Sequence, residues 1–356
     1  MTLRATASAT YLLSDNDAAS AVALAVVPTC RGSCSAQRAS GRTRRTDRRK
    51  FVKICWLIGA GAVLVAGAGA AQASYSFVTL TDPAANGYTV AQGINAAGQV
   101  VGTYFDAAGA QHGFLLSGGS YSAIDVPGAV ATQANGINAA GDIAGYSTSG
   151  GTTTGFVLSG GSYASFAVPA STGTFSWGIN NANTLSGSYN DAGGTSHGFA
   201  GASSIDDPAA SGGTVVRGIN SAGQVVGYYT DAAGVAHSFV DSGGSFTALN
   251  DPAGVLGTFA SGINDAGQVV GYFLNAAGAT SGFVESGGTF VTLNDPSGLP
   301  GFTQAFGINN QGQIVGSFVD TAGSIQGFEA SVPEPASLGL LGFALIGLGT
   351  ARRRRI

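Results

Sequence analysis

The chain has 356 residues, 58 of them glycine, with 10% charged residues and a formal net charge of −4. That composition is unlike an ordinary enzyme and suggests a repetitive chain. Arg217 is the only basic residue between Ser74 and Ala330, where fifteen Asp and Glu leave a local net charge of −14, so nucleic acid is excluded as a partner because phosphate binding needs clustered bases.

Residues 1–47 carry neither an element pattern nor a recognisable n-region and are set aside as a disordered or mis-assigned extension. From residue 48 the order becomes informative. Arg48, Arg49, Lys50 and Lys53 precede an apolar run from Ile54 to about Ala66, which leads to Ala71-Gln72-Ala73. This is the n-, h- and c-region order of a signal peptide over 48–73, with Ala71 and Ala73 at the cleavage positions and cleavage expected after Ala73. The run is shorter than the roughly 20 residues of a membrane span. Asp47 to Lys53 also resembles a twin-arginine export signal, the alternative to unfolded export. Cys30, Cys34 and Cys55 all precede the cleavage site, so the mature body is expected to hold no disulfide and no thiolate metal site.

Six repeats follow over residues 74–330, in units of about 75–118, 119–161, 162–200, 201–243, 244–287 and 288–330. Gly-Ile-Asn begins at Gly93 (with Ile94 and Asn95), Gly136, Gly178, Gly218, Gly262 and Gly307. Phe114, Phe156, Phe199, Phe239, Phe283 and Phe328 keep the same rhythm, as do six prolines from Pro83 to Pro296. In the fifth unit four short strands fit, over 245–249, 258–264, 268–273 and 281–284. Asp251-Pro252-Ala253-Gly254 reads as a type I turn, and Asn264-Asp265-Ala266-Gly267 has the same frame without proline. The pair Gly287-Gly288 suits a tight turn. Asn183 stands where the other copies have glycine, as expected of a left-handed site.

Glycine recurs too often for helices, and the valines, threonines and aromatics favour strands. The expected fold class is all-β, six four-stranded repeats forming a six-bladed β-propeller, with a β-solenoid as alternative. Ring closure would place the strand Phe77 to Leu80 beside the last unit. Which strand is innermost stays open. The units resemble the HAF repeat family, through the Gly-Ile-Asn turn, a Gly-x-Val-Val-Gly strand and His112-Gly113-Phe114, His197-Gly198-Phe199 and His237-Ser238-Phe239. Glycine or serine replaces the middle alanine of the family pattern, and Thr154, Thr280 and Gln326 stand in for His elsewhere. The resemblance implies an extracellular, propeller-like protein and no reaction.

Beyond residue 330 the chain reads Ser331-Val332-Pro333-Glu334-Pro335, a mostly apolar run taken as a transmembrane helix over about 336–351, and Arg352, Arg353, Arg354 and Arg355. Four arginines after an apolar run stay on the cytoplasmic side and leave the body outside. This tail over 331–356 resembles the PEP-CTERM sorting family. The resemblance implies export, recognition by the membrane protease-transpeptidase exosortase, and a cell surface rich in polysaccharide. Pro333 and Pro335 hold the motif extended, a form that a protease groove can take.

No Ser-His-Asp signature, nucleophile elbow or phosphate-binding loop appears, and paired carboxylates cannot be singled out because nearly every Asp has a repeat counterpart. The three histidines share one repeat position, where each is expected to bond locally; convergence on a metal is the alternative. No cofactor is expected, Ca²⁺ being the one metal that the Asp and Asn turns would suit. Tyr104, Tyr146, Tyr189, Tyr228 and Tyr272 could stack on sugars or pack within sheets. The expectation is therefore a non-catalytic exported protein with a structural or adhesive role. Its partners are exosortase and the export machinery, with extracellular polysaccharide as a candidate; the alternative is a carbohydrate- or ligand-binding propeller, and a propeller hydrolase comes last.

Overall fold

The structure, a computed structural model, describes residues 75–332. The signal segment, its Ala71 and Ala73, Pro333 to Pro335, the apolar run over 336–351 and Arg352 to Arg355 lie outside the described residues. Among the described residues there are 24 strands and no helix.

The strands form six four-stranded antiparallel sheets. In the first, Thr89–Ile94, Val100–Phe105, Gln111–Ser117 and Ser120–Ile124 pair in sequence. The Gly-Ile-Asn strand is innermost in each sheet, and the six innermost strands meet around one axis. A Cβ on Gly93 would lie 2.5 Å from the carbonyl of Asn135; the same kind of contact links Gly136 to Gly178, Gly178 to Arg217, Gly218 to Ser261, Gly262 to Phe306, and Gly307 back to Gln92. The succession returns to its start, so the body is a closed six-bladed propeller. Closure rules out the linear solenoid, and it is repeated at the rim, where Ser76–Leu80 pairs antiparallel with Ile325–Ser331 and completes the sixth sheet.

The sheets are offset by one strand from the sequence units. The first strand of each unit is the outermost strand of the preceding blade: Ser120–Ile124, which opens the second unit, pairs with Gln111–Ser117 of the first. The cause is the Gly-Gly turn. Gly118 and Gly119 have φ of +57° and +80°, and a two-residue turn of that kind can join only strands that are neighbours in one sheet. The crossing to the next blade is made instead by the proline loops. There Gly254 N–H donates to Asp251 O at 2.9 Å and the Asp251 carboxylate accepts from Ala253 N–H at 2.8 Å.

The apolar core lies within and between blades. Phe114, Phe156, Phe239, Phe283 and Phe328 are fully buried, each contributing on the order of 2–3 kcal/mol. Most of these rings sit on a glycine of the adjacent strand. A Cβ on Gly102 would be 2.7 Å from the Phe114 ring, and Gly145, Gly271 and Gly316 seat Phe156, Phe283 and Phe328 in the same way. The second glycine of Gly-x-Val-Val-Gly is therefore a space for the phenylalanine of the third strand.

Candidate functional site

Each innermost strand carries a buried threonine four residues before its Gly-Ile-Asn glycine: Thr89, Thr132, Thr174, Thr214, Thr258 and Thr303 are at most 2% exposed. Their hydroxyls accept the backbone N–H of the preceding proline loop, from Asp82 to Thr89 at 3.2 Å and from Asp207 to Thr214 at 3.0 Å. Sequence reasoning missed this, although a threonine four residues before every Gly-Ile-Asn glycine was there to be read. The strand then bulges at the residue before the glycine, in all six copies. Past the glycine, isoleucine and asparagine finish the strand.

The six asparagines close a ring of their own. Asn95 Nδ2 donates to Asn138 O at 3.0 Å, Asn180 to Asn220 O at 3.1 Å, Asn264 to Asn309 O at 3.1 Å and Asn309 to Asn95 O at 3.0 Å; Asn138 and Asn220 make the two longer links. Each Oδ1 accepts two backbone N–H groups of its own turn, as Asn95 does from Ala97 and Gln99. One amide thus folds a turn and ties it to the next blade, using both oxygen lone pairs and at least one N–H.

Ile94, Ile137, Ile179, Ile219, Ile263 and Ile308 with these asparagines line an axial depression of about 80 Å³, room for a few waters. Its rim is uneven. Asp265 is the one charged rim residue, accepting from Ser221 N–H at 2.8 Å and from Asn310 Nδ2 at 2.7 Å. Burial works to raise its pKa, but the Ser221 and Asn310 bonds outweigh that and hold it below the usual carboxylate range.

The histidines do not converge. His112 Nδ1 lies 2.8 Å from Asp125, His197 Nδ1 3.0 Å from Asp206, and His237 Nε2 2.9 Å from Asp231, each inside its own blade. The register also places Ser281, rather than Thr280, opposite Phe273 in the histidine position of the fifth blade. Among the described residues no group of three or more His, Cys, Asp or Glu side chains is placed to hold a metal ion.

The five tyrosines form no common surface. Tyr146, Tyr228 and Tyr272 follow their strand glycine by one residue and pack edge-on against Trp177, Phe259 and Phe306 of the next blade. Tyr104 and Tyr189 follow by two, point to the opposite face, and stack on His112 and His197 at 5.0 and 5.2 Å. Tyr104, Tyr146, Tyr228 and Tyr272 are only 5–8% exposed, so the sugar-stacking role considered for them gives way to packing.

At the C-terminal edge Val332 is exposed, and the model of the PEP-CTERM protein-sorting motif matches residues 331–355. The motif implies export and sorting to the cell surface, with processing by exosortase. No curated protein matches the chain by sequence. Similar solved structures include the SapL1 lectin in complex with alpha methyl fucoside, at 12% identity and a TM-score of 0.46, covering 70% of this chain and 97% of that one. A second is the fungal lectin of Aleuria aurantia, described as a six-bladed β-propeller, at 15%, 0.42, 72% and 91%. A third is AofleA from Arthrobotrys oligospora, at 13%, 0.42, 73% and 83%. At these values the likenesses say nothing about ligand or activity here.

Proposed function

We propose that this chain is a non-catalytic exported protein, sorted by exosortase, whose propeller serves as a structural or adhesive body at the cell surface or in the extracellular polysaccharide. The observation that carries the reading is the PEP-CTERM motif placed directly after a closed ring. The ring's own chemistry supports a passive role. Its repeated asparagine amides each donate to the backbone carbonyl of the next asparagine around the axis, and its histidines each bond within their blade. Catalysis would need unlike polar groups converging on one point.

In this reading the units are HAF-type repeats, and the apolar run over 336–351 holds the precursor in the inner membrane until exosortase acts. Surface labelling of intact cells with an antibody against the propeller tests it. Labelling of the full chain, abolished when residues 331–356 are deleted, is the expected result. A propeller that stays inaccessible in intact cells and fractionates with the cytosol contradicts it.

A further inference from the structure

Along the axial strands threonine, glycine, isoleucine and asparagine repeat in all six copies. The bulged residue before the glycine does not: it is Gln92, Asn135, Trp177, Arg217, Ser261 and Phe306 in turn. Six different side chains thus occupy one backbone position around the axis, upstream of the glycine ring. The isoleucine and asparagine that line the depression lie downstream of it.

One of the six is the sole cation of the body. Arg217 is 8% exposed, and its Cζ stands 3.8 Å from the centroid of the Trp177 ring. Its Nε is buried without a hydrogen-bond partner. Among the described residues every ion pair is between His and Asp, and none of the fifteen carboxylates is placed on this guanidinium. Asn135, the bulged residue of the second blade, is also buried, with an unpartnered Oδ1. The Arg217 charge reaches the fifth blade: the Tyr272 hydroxyl is pushed far above its usual pKa by burial and by Tyr228, and Arg217 acts in the opposite sense.

A desolvated guanidinium ordinarily has a carboxylate or phosphate on its fork. The indole face offsets part of the desolvation, about 0.5–2 kcal/mol, and leaves Nε without a hydrogen-bond partner. We propose that Arg217 anchors an axial binding site for a small ligand bearing a carboxylate. A carboxylate engages a guanidinium side-on through Nε and one terminal nitrogen, and Nε is the nitrogen that is buried and unpartnered here. The body's negative charge disfavours a phosphate dianion more than a monoanion. Trp177 lies against the guanidinium, and Gln92, Ser261 and Phe306 hold the same bulge position in other blades. The assignment is independent of the surface-sorting reading above.

Trp56 and Trp177 are the two tryptophans of the chain, so a full-length Trp56→Phe protein reports on Trp177 alone. Its emission is titrated at constant low ionic strength with sodium acetate and sodium D-glucuronate, with D-glucose and inorganic phosphate as controls. Both carboxylates should give a saturable change, glucose none, and phosphate a weaker one. Glucuronate binding more tightly than acetate assigns an acidic sugar; equal binding assigns the carboxylate group itself. Arg217→Gln should abolish the response, and Arg217→Lys, which keeps the charge without the fork, should weaken it by about tenfold. No saturable carboxylate response, an unchanged response in Arg217→Gln, or phosphate binding as tightly as carboxylate overturns the proposal. If Arg217→Gln does not fold, the comparison of glucuronate with glucose decides, and equal responses overturn it.

Discussion

The side-chain amide of Asn309 donates to the backbone carbonyl of Asn95 at 3.0 Å, across 214 residues of chain. That bond joins the last copy of the repeat to the first, and pairing of Ser76–Leu80 with Ile325–Ser331 repeats the closure at the rim. The sixth blade is therefore finished by the N-terminal strand, and the blades enclose one another.

Asn309→Asp isolates the ring bond from the turn. An aspartate keeps an oxygen for the Gln311 and Gln313 N–H groups, both at 3.0 Å, but sets a carboxylate against the Asn95 carbonyl. Loss of a buried donor and the new repulsion should cost about 1–3 kcal/mol. Chemical denaturation should show an earlier midpoint; an unchanged midpoint means the amide ring contributes nothing to closure.

Gly93 is a matter of space. Its added Cβ would meet the Asn135 carbonyl at 2.5 Å, so Gly93→Ala should destabilise by about 1–3 kcal/mol through overpacking. Gly98, at φ +72° with open space around it, should tolerate Asn, the residue that occupies the equivalent site at Asn183 with φ +60°. Equal losses from Gly93→Ala and Gly98→Asn would count against this division of roles.

Ala170 is a local strain that glycine should relieve. It sits at φ +63°, where the corresponding residue of the previous repeat is Gly128 at +81°. Ala129 N–H donates to Val126 O and Ser171 N–H to Val168 O, so both are third-position residues of proline turns. Ala170→Gly should stabilise by up to about 1 kcal/mol, read as a higher melting temperature; a lower one contradicts the assignment.

His112 gives a pH signature. Burial is the largest single influence and lowers its pKa, but Asp125 and then Asp106 together outweigh it, and the net shift is upward. A raised folded pKa means that protonated His112 stabilises the fold fully below its unfolded value of roughly 6.5, an effect lost as pH rises through the folded value. The Asp106 carboxyl, lowered chiefly by the Ala110 N–H and also by His112, works at the other end: its contribution holds above its unfolded value and fades as pH falls through the folded one. An NMR titration should place the His112 midpoint above that of an unperturbed histidine side chain, and Asp125→Asn should bring it down. A midpoint indifferent to Asp125 refutes the pairing.

Much of this fold was legible because it is punctuated. Gly-Ile-Asn, the proline turns and the strand Phe77 to Leu80 were each readable in place, and Asn183 adopts the left-handed backbone that its position required. The innermost strand was not legible, since alternation of side chains tells which faces are buried and says nothing of order from the axis. The one-strand offset could have been inferred from the Gly-Gly turns, whose shortness confines them to a single sheet. The tyrosines misled because a one-residue difference in position sends Tyr146 and Tyr104 to opposite faces, a parity that counting aromatics by repeat conceals. Arg217 stood out as a lone base, but only the bulge showed where it lies, and bulges leave little trace in sequence.

The central claim, that a sorted precursor delivers this ring outside the inner membrane, is tested most directly by intact-mass measurement of the protein recovered from cells with and without exosortase. With the enzyme, the mass should correspond to a chain that has lost residues 1–73 and has been cut near Pro335. Without it, the C-terminal segment should remain. The same C-terminus in both strains would contradict the account.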